Sequence, residues 1–207
     1  MLRPVLILSG LALAAPAVAA QAKAPPRDAP VLGCHDRISG AVVRRGDETT
    51  PFRFAVHAQH DTTFGAIAFS GLADYGRPAQ WREMVRRDQW LKSIALVRPG
   101  SRVTLVVPTP QRAWMRMRYV HGRARAAHEV TLEGCRRLAS RTQQREECGP
   151  GPQDTCTSGR TPFSGGFEID YARAPRQGRC AQLIVWTQGE RRPQLKRLFR
   201  PGAGECP

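Results

Sequence analysis

The amino-acid sequence predicts a mostly β protein: a single Ig-like β-sandwich with one short helix, stapled by disulfides and preceded by a cleavable signal peptide. Three observations carry that reading. Short apolar stretches recur between Gly- and Pro-containing turns, and several alternate with the period of two that a half-buried strand requires. All six cysteines (Cys34, Cys135, Cys148, Cys156, Cys180 and Cys206) lie downstream of an apolar N-terminal run. An even number of cysteines in an exported chain points to a disulfide framework.

The elements follow in chain order. Arg3 precedes an apolar run over 5–18 that ends at small residues, the pattern of a secretory signal peptide, so 1–20 is read as the signal and cleavage is expected before Gln21. The run is shorter than the roughly 20 residues that cross a bilayer and Pro16 interrupts it, which argues against a retained anchor. Val31-Leu32-Gly33-Cys34 looks like a lipid-attachment box, but polar, Pro-containing residues separate it from the apolar run. Residues 21–33 hold three prolines and no periodicity and read as a flexible leader, leaving 34–207 as the β-sandwich domain.

Within that domain, 38–43 reads as a first strand and 44–50 as a polar turn. A strand over 52–57 follows, in which Phe52, Phe54 and Val56 alternate, and then a short apolar strand over 64–69. Between 78 and 91 the spacing of Trp81, Met84, Val85 and Leu91 becomes helical, and Pro78 suits a first helical turn. Residues 93–97 and 102–107 flank Arg98-Pro99-Gly100-Ser101, which has the composition of a type II turn and predicts a hairpin. Residues 114–120 alternate again, with Met115, Met117 and Tyr119 on the face to be buried and Trp114, Arg116, Arg118 and Val120 on the other. Strands over 129–134, 166–171, 180–187 and 194–199 complete the set, and 136–161 reads as a long polar loop. Spacing favours bridges Cys148–Cys156 across Gly149-Pro150-Gly151-Pro152, Cys180–Cys206 at the C-terminus and Cys34–Cys135 at the N-terminal side. No C-x₂-C pair is present, so zinc on these cysteines is not expected.

A resemblance follows from three segments. Val97-Arg98-Pro99-Gly100 leads into Val103-Thr104-Leu105 and Pro108. Thr161 precedes Phe163-Ser164-Gly165-Gly166-Phe167, and the chain closes on Gly202-Ala203-Gly204-Glu205-Cys206. Over about 93–206 the chain thus resembles small exported β-sandwich proteins of GC-rich Gram-positive bacteria. The resemblance implies export and a sandwich fold and carries over no catalytic residue; Cys148 and Cys156 stand outside its pattern.

Charge bounds the function. The net charge is +15, and only Lys23, Lys92 and Lys196 of the 32 basic residues are lysine. Such a balance favours anionic partners. The Ala-, Arg-, Gly- and Pro-rich composition also indicates GC-rich coding, so part of the arginine content reflects codon usage. From 112 to 145 nine arginines face only two acids, Glu129 and Glu133. Arg116, Arg118 and Trp114 on one strand face, with Arg112 and Arg123 nearby, form the candidate anion-binding surface, because a guanidinium fork matches phosphate, sulfate and carboxylate.

His57, His60 and Asp61 are the alternative metal ligands, but an extended strand sends His60 to the opposite side from His57 and Asp61, so no metal is assigned. Ser164 lacks a G-x-S-x-G elbow, and Gly165-Gly166 reads as a sharp strand entry, so no catalytic residue is assigned. Arg45-Gly46-Asp47 is read as a chance tripeptide. The expectation is an extracytoplasmic, secreted or envelope-associated, non-catalytic binding or structural module without a cofactor. Its expected partners are anionic cell-surface polymers or lipid headgroups; nucleic acid is not expected. An exported hydrolase, or an inhibitor using the 148–156 loop, is the alternative.

Overall fold

Short strands broken by Gly and Pro cannot bury an apolar face alone, so they must pair with segments distant in the chain. A computed structural model describes residues 24–37, 42–45, 48–51, 62–72, 75, 77–87, 90–119, 126–136, 160–175, 179–200 and 206. The expected signal segment, the strand over 52–57, the 148–156 loop, Arg123 and the His57–His60–Asp61 cluster lie outside them. Within them the protein is mostly β with one α-helix, as predicted. The elements are β1 (Val31–Leu32), β2 (Val42–Arg45), β3 (Glu48–Pro51), β4 (Thr62–Phe64), β5 (Ile67–Phe69), α1 (Pro78–Arg87), β6 (Leu91–Lys92), β7 (Ala95–Val97), β8 (Arg102–Val106), β9 (Met115–Met117), β10 (Glu129–Glu133), β11 (Thr161–Phe163), β12 (Gly166–Ile169), β13 (Ala181–Thr187) and β14 (Gln194–Phe199).

One layer is the sheet β1-β10-β8-β13-β14, antiparallel except for the parallel β1–β10 edge. The other is built from β11-β7-β5-β4 and β6-β12-β9. These two sheets are continuous. Phe163 pairs with Ala95 and Gly166 with Lys92 in an unchanged register, and between them the Ser93 amide donates to the Gly165 carbonyl at 2.9 Å. Residues 91–97 and 161–169 therefore form one kinked antiparallel ribbon, and the second layer is also five strands wide. Between the layers lies one core: Leu32, Val103, Leu105, Leu132 and Leu183 from the first meet Ile67, Phe69, Met115, Phe163 and Phe167 from the second. Phe69, Tyr119 and Phe167 form a triangle with ring centroids 5.8–6.2 Å apart at its centre. Each such side chain, fully buried, contributes about 1.5–3 kcal/mol.

The helix forms but is shorter than the 78–91 that the spacing predicts, ending at Arg87. Met84 is buried, and Trp81 packs on Tyr171 and Phe199, whereas Val85 is exposed and Leu91 belongs to β6. Two predicted disulfides form, Cys34–Cys135 and Cys180–Cys206.

Four expectations change. The turn Arg98-Pro99-Gly100-Ser101 forms, with the Ser101 amide donating to the Arg98 carbonyl at 3.1 Å and Gly100 at φ +69°. It does not close a hairpin, however: β7 pairs with β5 and β11, and β8 with β10 and β13, so the turn is an arch from one layer to the other. Both strands are almost wholly buried, and facing layers satisfy both where a single half-exposed hairpin would not. The apolar run 64–69 is a hairpin, β4 turning at Gly65-Ala66 into β5. Most of the expected polar turn 44–50 is strand, β2 pairing with β3 from Val42↔Pro51 to Arg45↔Glu48. The end of the expected leader is ordered, because Leu32 is buried and β1 adds to the sheet edge beside β10.

Gly165 and Gly166 mark the sharp strand entry their sequence predicts. A Cβ on Gly165 would collide with the Tyr119 ring and the Arg118 carbonyl, and one on Gly166 with the Leu91 carbonyl. Gly165→Ala should therefore lower stability by about 2–3 kcal/mol, measured as the shift of the urea midpoint. The Tyr119 hydroxyl is buried without a hydrogen-bond partner among the described residues, while nearby Ser93 donates to the Ser70 carbonyl at 2.9 Å. Burial pushes that hydroxyl's pKa well above its ordinary value. Tyr119→Phe should be neutral or stabilising by up to about 1 kcal/mol in a thermal melt; a loss would mean that the hydroxyl is satisfied.

Candidate anion-binding site

The alternation over 115–119 operates as its pattern requires. Met115, Met117 and Tyr119 are buried in the core, so Arg116 and Arg118 point outward and are exposed. Strand β12 pairs with both β9 and β6, bringing β6 and its neighbour Trp90 to the same layer. The Arg118 guanidinium lies 5.6 Å from the centre of the Trp90 ring, and the Lys92 ammonium lies 5.8 Å from it. Each contact is worth about 0.5–1 kcal/mol at an exposed position and holds a cation over an indole face. Exposed Glu168 stands opposite Arg116 in the register and is the acid of this strip.

Two sequence expectations resolve differently. Trp114 is buried and does not join Arg116 and Arg118 on an exposed face. It precedes β9 in the turn after a 3₁₀ helix, its amide donating to the Gln111 carbonyl at 3.1 Å, so the two-residue period does not reach it. Arg112 is engaged within the protein: it bonds Glu129 at 2.7 Å and the Val107 carbonyl at 3.1 Å. Exposed Ser164 begins the link to β12, followed by the two glycines. Trp90 and Lys92 were missed as partners because they flank Leu91, the sole apolar signal of the two-residue strand β6. Their one signal was alternation across Trp90-Leu91-Lys92, with Leu91 buried.

Elsewhere the basic surface is shaped by burial. Arg160 reaches the Leu96 carbonyl at 3.4 Å, and burial, with the Arg98 charge beside it, holds its guanidinium below the ordinary value. A cleft of about 340 Å³ beside Cys34–Cys135 contains Arg102, which pairs with Glu133 at 3.2 Å. A larger cleft of about 640 Å³ lies beside β13 and β14 and is walled by arginines. Among the described residues no helix is long and apolar enough to cross a membrane, and no three His, Cys, Asp or Glu side chains converge as metal ligands.

Comparison with family models, curated proteins and solved structures returned no match to this chain. The class of the molecule is therefore defined by its own geometry: a disulfide-bonded, mostly β protein of two packed layers.

The different roles of the arginines are separable. Arg112→Ala should cost about 1–2 kcal/mol, seen as a lower melting temperature, because Glu129 loses its partner in a half-buried site. Arg116→Ala should leave the melt nearly unchanged.

Proposed function

We propose that this protein is an extracytoplasmic, non-catalytic binding module that engages anionic polymers of the cell surface. The observation that carries the proposal is the outward strip of Arg116, Arg118 and Lys92 around Trp90, which presents two cations on one indole and a third basic group two residues along β9. A guanidinium takes a sulfate, phosphate or carboxylate through paired N–H donors, and the indole keeps Arg118 and Lys92 from collapsing onto the surface. A sheet face is flat and suits a repeating, extended ligand better than a compact one. Two disulfides between distant segments are what an oxidising compartment permits, and they support an extracytoplasmic setting. The apolar run at 5–18 supports export by cleavage of a signal.

The test is binding to immobilised dextran sulfate and to polyphosphate as a function of salt. Arg116→Ala/Arg118→Ala should weaken both by at least about tenfold and flatten the salt dependence, with an unchanged far-ultraviolet spectrum. Equal affinity in the double variant would contradict the proposal. Binding to vesicles containing phosphatidylglycerol, with neither polymer retained, would assign the strip to lipid headgroups instead.

A further inference from the structure

We infer that the larger cleft is a separate binding site for a small organic anion, one carrying a phosphate, sulfate or carboxylate group on an apolar body. Its volume of about 640 Å³ lies within the ~300–1,000 Å³ usual for small-molecule sites. None of the strip residues lines it. Its apolar surface comes from Pro110, Ala113, Trp114 and Pro175, and its basic surface from Arg173, Arg179, Arg197 and Arg200, with no Asp or Glu among the described lining residues.

The floor is held in place before any ligand arrives. Gln111 is buried, its amide nitrogen donating to the Gln182 side chain at 3.2 Å and to the Cys180 carbonyl at 3.4 Å, while its oxygen accepts the Gln182 amide at 2.9 Å. The Cys180–Cys206 bridge fixes the same rim. Arg173 is positioned by Asp170 at 3.4 Å, and Arg179 is exposed at the mouth.

Arg200 supplies the specific demand. Its Nε is buried and has no hydrogen-bond partner among the described residues. That nitrogen leaves part of the Arg200 charge uncompensated inside the protein, and an oxyanion in the cleft that Arg200 lines offsets that charge. Inorganic phosphate would offset the arginine charge but leave the proline and tryptophan surface wet. A ligand with an apolar body covers both.

Titration calorimetry of the intact protein with phenyl phosphate and with inorganic phosphate, at matched ionic strength, tests the inference. Phenyl phosphate should bind saturably at one equivalent and at least about tenfold more tightly than inorganic phosphate. Arg200→Ala and Arg179→Ala should each weaken it about fivefold or more. Arg179 is exposed, so its variant keeps the fold even if the Arg200 variant does not. Arg116→Ala/Arg118→Ala should leave phenyl phosphate binding unchanged, which separates this site from the polymer strip. Absence of saturable binding, full affinity in Arg179→Ala, or loss in the strip variant would each overturn the inference.

Discussion

At Gly165 and Gly166 the backbone approaches the Tyr119 ring and the Leu91 carbonyl so closely that no side chain fits, and the second layer depends on that approach. With both positions bare, residues 161–167 pair along their whole length with 91–97 on one side and, from Gly166 onward, the strand pairs with β9 on the other. The Arg118 amide closes the second contact by donating to the Gly166 carbonyl at 2.9 Å. Tyr119 and Phe167 then meet each other edge to face and Phe69 at a tilt, arrangements that aromatic rings favour. The outward strip is a consequence of this packing. Because Met115, Met117 and Tyr119 must point inward, Arg116 and Arg118 point out, next to a tryptophan brought there by the same ribbon.

Legibility in the sequence followed the range of the interactions. Alternation over 114–120 and helical spacing over 78–91 are local, and the parts at 115–119 and 78–87 survive in the structure. The two disulfides were readable because the N-terminal and C-terminal cysteines each had a partner suited to tying down a chain end. The arch at 98–101 was not readable as an arch. Its turn chemistry is the same whether the flanking strands pair with each other or lie in opposite layers, and only near-complete burial of β7 and β8 distinguishes the two. β11 escaped notice because Pro162 interrupts it and its partner β7 lies more than sixty residues upstream. Val31-Leu32 joined the sheet for a similar reason: two residues carry no period, and the Thr131 amide bonding the Pro30 carbonyl is a long-range fact.

The arginines show why composition alone overstates binding. Arg112 is spent on Glu129 and a carbonyl, Arg102 on Glu133, and Arg86 on Glu83, whose carboxyl that bond holds below its ordinary range. What distinguishes Arg116 and Arg118 is exposure, with an indole beside Arg118. What distinguishes Arg200 is a buried nitrogen without a partner. Neither property is visible in a count of charges. The cleft arginines are scattered from 173 to 200 and gathered by the turn after β12, the β13–β14 pairing and the Cys180–Cys206 bridge.

The four tryptophans provide a direct readout, since Trp90 lies in the strip, Trp114 lines the cleft, Trp81 sits on α1 and Trp186 is buried in β13. The decisive measurement is the nitrogen–proton NMR signal of the indoles during titration with dextran sulfate. Polymer binding through the strip predicts that the Trp90 signal moves to saturation while those of Trp114, Trp81 and Trp186 stay in place. A stationary Trp90 signal under conditions where the polymer binds, or movement confined to Trp114, would contradict it.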